Sequence, residues 1–553
     1  MAEEAEKGPQ AKNAYAIVAT GAKLPAAKCN SCGEIFGLKS NQGVFEEAYR
    51  ILAPLYGAAS CPDAECQNHR IPTHVVGAYH EFGKTSAGSQ RYRCKICSKT
   101  FSVKPKGLNP ISKQVQSDKN RTILSMLMGK MPLRRICEAA EVSPPVLYDK
   151  IDFLHRQAVA FLADRERALP GMKIERLYVG VDRQDHVINW SRRSDKRNVT
   201  LSSVAAADNA TGYVFGMVPN FDPGPDPSQI EALHLALGDD LVPACHRRHA
   251  RLWLPDDFKA AVAQSRRFVG TGTLGSTIDA TYSTNKARND IEAPEHVVVE
   301  DKLPDTGMLV HAEYTLHGFF IALRRMFENV EKVRFFLDQD SGIRAACLSA
   351  FATPISEGSC DVFYVRIAKG LTVDDKRKLI AKSQVEFEEV AAANPFLDKN
   401  GVKLLMLKNR IALAQTIGPW KDRWVSHPIP TLSETDKAMC HLTDIGSYAG
   451  DLDHLAWLYN KASLHSVDSF FNRLRRRSSM LERPIHSSGN RGRVYNHYSA
   501  YRPEQVNKIQ TIFRACHNYV WTGEGKKAPP GTPATRLGLA KAVLDLNDIL
   551  YFR

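Results

Sequence analysis

The sequence predicts an α/β protein whose main body is a mixed sheet with helices on both faces and two insertions, preceded by a small cysteine-bearing module and a helical module. Three observations predict it. Six of the twelve cysteines fall in three close pairs before residue 100. Helical periodicity follows from about residue 118 to 167. From Glu175 onward, short apolar runs ending on acids alternate with helical text.

A chain of 553 residues exceeds what one hydrophobic core supports, and a 43% hydrophobic fraction is enough to build several. Lys and Arg number 74 against 60 Asp and Glu, giving +14 and a pI near 9.1. That balance suits an extended polyanion better than an acidic small molecule. The polar opening and the lack of any apolar run near the roughly 18 residues of a bilayer span predict a cytoplasmic protein with no membrane partner.

After a tail (residues 1–28), residues 29–103 form the expected metal module. Cys61-x4-Cys66 and Cys94-x2-Cys97 are separated by 27 turn-rich, strand-like residues, and together offer the four soft ligands of a tetrahedral Zn2+. Six unrelated buried cysteines are the plainer alternative. Cys29-x2-Cys32 lacks a second pair, so it either binds a second Zn2+ with His69, His74 or His80 or shares in the first site. The remaining cysteines (Cys137, Cys245, Cys347, Cys360, Cys440, Cys516) read as reduced core residues. From Lys84 to Lys113 there are eight Lys or Arg and no acid, so Arg91, Arg93, Lys95 and Lys99 offer a basic surface to phosphates; a merely solvated face gives the same text.

Residues 104–170 predict three helices. The first starts near Asp118, with Ile123, Leu124, Leu127 and Met128 on one stripe. The second runs from Pro132 to Ala140. Ser143 and Pro144 supply a cap and a first helical position for the third, which buries Leu147, Ile151, Leu154, Ala158 and Phe161. This is helix-turn-helix organisation, with Tyr148, Asp149 and Lys150 near the exposed start of the reading helix. A bundle that spaces two domains is the alternative.

The sheet begins in residues 171–218. LYVGVD ends on Asp182, two more strands follow, and Asn209 to Gly212 is a hairpin turn. Three consecutive strands with an Asp closing the first are how an RNase H-like fold begins; Asp208 belongs to the turn and is structural. An insertion (219–305) precedes the second core part (306–368), a helix, a strand ending on Asp338, a helix and a strand. The second insertion (369–455) reads as largely helical. Residues 456–520 then carry a helix on which Asp468, Asn472 and Arg475 or Arg476 share one face, with Glu482 further along the same expected helix. Three such carboxylates are the parts that hold two hard cations, Mg2+ or Mn2+.

The segments CPDAECQNH and RYRCKICSKTF resemble the zinc ribbon that opens many bacterial insertion-sequence transposases. LYVGVD with its hairpin, FFLDQDSG and HSVDSFFNRLRRR resemble the DDE/D core of the same enzymes. The resemblance implies an RNase H-like catalytic core with Asp182, Asp338 and Asp468 as metal ligands, and double-stranded DNA as partner. It also implies a homodimer or higher oligomer on DNA. An Asp as third acid, where Glu is usual, and Asp340 two residues after Asp338 depart from the pattern.

Between Asp468 and Arg514 lie ten Lys or Arg against three acids, interleaved with Tyr495, His497, Tyr498 and Tyr501, a strip suited to splayed DNA. In residues 521–553, TPATRLGLA resembles a motif that closes such transposases. It leads into an expected amphipathic helix bearing Leu539, Val543, Leu546 and Leu550. A DNA-binding regulator derived from a transposase and an RNase H-like nuclease without joining activity remain alternatives.

Overall fold

The computed structural model describes residues 15–19, 25–30, 35–56, 59–63, 66–69, 71, 73, 77–86, 89–103, 114–265, 301–368, 371–417, 422–443, 451–484, 494–523 and 529–552. Expectations for Cys32, His74, the 104–113 linker and residues 266–300 fall outside them.

Strands β1 (Tyr15–Ala19), β2 (Pro25–Cys29) and β3 (Ile35–Gly37) pair antiparallel, and helix α1 (Asn41–Tyr56) follows. Helix α1 lies inside the stretch expected to be the metal module, yet it packs on the core. A Cβ at Gly318 would stand 2.8 Å from the Ala48 nitrogen, so the two helix backbones meet where only glycine fits. The buried Arg251 guanidinium fastens α1 by ion pairs to Glu46 (3.0 Å) and Glu47 (3.2 Å). The four-cysteine unit is therefore narrower than residues 29–103, comprising the loop from Cys61 and the antiparallel sheet β4 (Tyr79–Lys84), β5 (Gln90–Cys94) and β6 (Thr100–Val103).

Helices α2 (Asn120–Leu127), α3 (Leu133–Ala140) and α4 (Pro144–Glu166) stand where the apolar periodicity puts them. Glu141 turns the chain in a left-handed conformation (φ 50°) and Ser143 is extended, but the Ser143 side chain makes no capping hydrogen bond. The second half of α4 leaves the three-helix unit and joins the core, where Arg514 Nη2 donates to the buried Glu166 carboxylate at 3.2 Å.

The core is an eight-stranded mixed sheet. Strands β7 (Ile174–Ile188), β8 (Val199–Asp208) and β9 (Val214–Pro219) form an antiparallel meander. Gly212 (φ +73°) turns β8 into β9, and Asp208 accepts from the Thr211 N–H (2.7 Å) and the Tyr178 N–H (3.0 Å), the structural role expected of it. The first insertion contributes β10 (Phe221–Asp222), α5 (Pro227–Ala236) and α6 (Pro255–Ser265), and β11 (Met308–Leu309) returns to pair with β10. Helix α7 (Ala312–Met326) leads to β12 (Val330–Asp338), which lies parallel to β7. Helices α8 (Ser341–Ala350) and α9 (Ala352–Ser356) lead to β13 (Cys360–Ile367), parallel to β12.

The second insertion carries the expected helices, α10 (Val373–Ala393) and α11 (Lys399–Leu413), but also three strands that enlarge the sheet. These are β14 (Thr416–Ile417), β15 (Asp422–Ser426) and β16 (Lys437–His441), and β16 pairs antiparallel with β13. Five-residue strands such as KAMCH, with three apolar residues between a Lys and a His, show no usable periodicity, so their pairing is fixed only by the neighbour they meet. The order across the sheet is β14-β15-β16-β13-β12-β7-β8-β9.

Helix α7 covers one face, where Gly216 of β9 admits the Phe319 ring. On the other face lie α12 (Leu452–Lys461), α13 (His465–Arg477) and α14 (Pro503–Tyr519). Val467, Phe470, Phe471 and Leu474 of α13 are buried, and Gly180 of β7 lets Val467 and Leu464 settle on the strand.

The expected C-terminal amphipathic helix is broken. Short helices α15 (Pro533–Leu537) and α16 (Leu546–Leu550) flank a stretch opened by Gly538 (φ +89°), whose left-handed backbone ends the first. Leu550 is buried while Val543 is exposed, and Gln157 of α4 donates to the carbonyls of Leu550 (3.0 Å) and Phe552 (2.9 Å). The tail thus docks on the helical module of its own chain. Among the described residues no helix is long and apolar enough to cross a membrane.

Candidate functional site

The four cysteines Cys61, Cys66, Cys94 and Cys97 converge, with all Sγ atoms within 4.8 Å of one another. Cys61 and Cys97 are 3.3 Å apart and Cys66 and Cys94 3.6 Å. Sulfurs around a tetrahedral zinc with Zn–S near 2.3 Å stand about 3.8 Å apart, so the cluster could hold a metal such as zinc. The local chain supports this. Ser98 (φ 61°) bends the second pair tightly enough for its N–H to reach the Cys94 carbonyl at 3.1 Å. The Asn68 backbone N–H donates to Cys66 Sγ and its side-chain amide to Cys94 Sγ, both at 3.4 Å. Burial disfavours the Cys94 thiolate, but the N–H groups of Cys97 and Ile96 and the Asn68 amide bring its pKa down to about 6, ready for a cation. Cys29 closes β2, and with Cys32 outside the described residues the second metal site is not described.

The other six cysteines carry no disulfide, and all but the half-buried Cys137 are buried, as expected of core residues.

The sheet gathers two of the three expected acids. Val181 of β7 and Leu337 of β12 are register partners on parallel strands, and Asp182 and Asp338 each follow by one residue, on the face that α13 covers. Asp182 is buried and accepts from the Arg183 N–H at 2.7 Å; Asp338 is half-buried. Asp468 sits exposed on the first turn of α13, with Asn472 one turn on. Arg475, half-buried, feels both the Asp468 and the Asp182 carboxylates, while burial and the neighbouring Arg483 lower its pKa. Among the described residues the four cysteines form the one group of three or more potential ligands within 4.8 Å, so the three carboxylates are not gathered to that spacing.

Asp340 and Glu482 are placed elsewhere. Asp340 caps α8 by accepting from the Ile343 N–H at 3.0 Å and pairs with Arg183. Helix α13 ends at Arg477 and Ser478 is extended, so Glu482 is not on the helix of Asp468; it pairs with Lys130 at 2.9 Å.

The expected DNA contacts divide. Arg93, Lys95, Lys99 and Arg476 are exposed, Lys99 pairing with Asp63 at 2.9 Å, and Arg91 lies 5.0 Å over the Phe82 ring. Tyr148 is exposed at the start of α4. Lys150 is not available: it is 3% exposed and donates to the Val115 carbonyl at 2.6 Å, because its position on α4 faces the segment leading into α2. The structure adds what the sequence reading missed. Tyr498 of the C-terminal arm lies near exposed Arg135 of α3, and Tyr501 lies near Tyr148, so helical module and arm form one basic, aromatic face. Only the doubled Arg134-Arg135 hinted at it.

No family model matches the chain, and no curated protein is similar to it in sequence.

Proposed function

We propose that this protein is a DNA transposase that binds the ends of a mobile element and catalyses metal-dependent strand cleavage and strand transfer. The observation that carries the proposal is the pairing of Asp182 and Asp338 beyond adjacent residues of parallel strands, beneath the helix that bears Asp468. A meander continued by two parallel strands, in the order β9-β8-β7-β12-β13, is the arrangement expected of an RNase H-like core.

In this reading Asp182, Asp338 and Asp468 hold Mg2+ or Mn2+, which when bound activates the attacking oxygen and stabilises the leaving oxygen of a phosphodiester. The chain's own groups do the positioning. Asn472 and Arg476 lie exposed within two and a half turns of Asp468 and suit backbone phosphates, and Arg475 orders the carboxylates. The four-cysteine sheet is read as a zinc ribbon whose Arg93, Lys95 and Lys99 meet phosphates. The Arg135–Tyr148–Tyr498 face is read as the duplex-holding surface of a helix-turn-helix unit.

The test is strand transfer with a pre-cleaved element end carrying a 3′-hydroxyl. Mg2+-dependent joining that disappears in Asp182→Asn supports the proposal. Cleavage without joining would make the protein a nuclease, and DNA binding with neither would make it a regulator.

A further inference from the structure

A cavity of about 470 Å3 opens at the N-terminal end of α13, lined by Lys403, Lys437 and Lys461 together with Glu434, His427 and His465. It reaches Tyr178, four residues before Asp182 on β7 and so about 13 Å along the strand from the carboxylates.

Its charges do not cancel. Glu434 accepts from Lys437 Nζ (2.8 Å), from the Ser463 hydroxyl (2.5 Å) and from the Leu464 N–H (3.2 Å). Lys403 and Lys461 form no ion pair among the described residues; Lys461 lies 5.5 Å over the Trp457 ring. Three lysines against one glutamate leave two positive charges facing the cavity. Burial, then the charges of Lys437 and Lys461, hold the Lys403 pKa below its usual value, so an arriving anion relieves a repulsion already present. Burial, then the charge of Lys437, brings His427 down to about 3, which leaves a neutral imidazole as a polar partner.

We propose that this cavity binds a phosphomonoester of about nucleotide size, at a site separate from the carboxylates. A phosphomonoester carries a charge of about −1.5 to −2 at neutral pH, matching the excess. The volume falls in the range of roughly 300–1,000 Å3 typical of small-ligand sites and exceeds the needs of a bare phosphate ion. The phosphoryl group can come from a free mononucleotide or from the 5′ end of a DNA strand.

Calorimetric titration of the full chain with dAMP, without added Mg2+, tests this. Saturable one-to-one binding is expected, weakened at least about tenfold in both Lys403→Gln and Lys461→Gln and unchanged in the exposed control Lys382→Gln and in Asp182→Asn. Lys461→Gln guards against misfolding of the half-buried Lys403 variant. Displacement of dAMP by a 5′-phosphorylated but not a 5′-hydroxyl oligonucleotide assigns the site to a strand end, and failure of both to displace it assigns it to the free nucleotide. Absence of saturable binding, or binding that ignores both lysines or requires Mg2+ and Asp182, overturns the proposal.

Discussion

Asp182 and Asp338 stand side by side at the centre of the sheet because Val181 and Leu337, one residue before each, are partners in the β7–β12 ladder. Parallel register places both side chains on the face covered by α13. Replacing either with Asn is expected to lower metal-dependent cleavage by more than about 100-fold while element-end binding, read by fluorescence anisotropy, stays within error. Full strand transfer in Asp182→Asn would sink the carboxylate assignment.

The same placement ranks the remaining acids. Asp468→Ala should eliminate cleavage, whereas Glu482→Ala loses only an exposed ion pair with Lys130, worth about 0–1 kcal/mol. Asp340→Ala should cost about 1 kcal/mol through the lost α8 cap and keep cleavage above that of Asp468→Ala. Cleavage that survives Asp468→Ala but not Glu482→Ala would move the site away from α13.

For the four-cysteine centre, elemental analysis of protein purified without chelator should find zinc, and Cys66→Ser should remove one ion per chain. A zinc held there would be coupled to the folding of β4 to β6, so proteolysis of that segment should quicken in Cys66→Ser while the core melts as before. Zinc content indifferent to this substitution would reject the centre.

The Glu166–Arg514 pair joins α4 to α14 in the interior, with the Tyr213 hydroxyl donating to the same carboxylate at 2.8 Å. Arg514→Met strands a buried carboxylate and should lower stability by about 3–5 kcal/mol in urea unfolding. A loss below about 1 kcal/mol would show that the pair is solvated.

Two buried histidines, His186 and His517, and the half-buried His427 set an acid limit. Burial, then nearby cations, brings His186, His427 and His517 down to about 3. His186 accepts from the Gln510 amide at 3.0 Å, which suits a neutral ring. Their folded pKa values lie below the unfolded value of about 6.5, so this contribution is complete above pH 6.5 and is lost as pH falls toward 3. The urea midpoint should therefore drop between pH 7 and 5, less steeply in His186→Gln; a flat profile would contradict the burial of neutral rings.

The sequence by itself determined the features that depend on local spacing. The cysteine pairs, the three helices from Asn120 to Glu166, the β7–β8–β9 meander with its Gly212 turn, and the acids closing LYVGVD and VRFFLD were all legible. Tertiary structure alone decided the rest. Helix α1 gave no sign that Gly318, some 270 residues later, would receive it. Lys150 read as a phosphate contact until Val115 closed over it, and Glu482 read as helical until Ser478 ended α13. The lysines of the cavity come from α11, β16 and α12, more than fifty residues of chain that no periodicity connects. The physical division is the range of the forces involved: caps, turns and ligand spacing act over a few residues, while pairing of short strands and burial of single charges depend on partners brought close only when the whole sheet has formed.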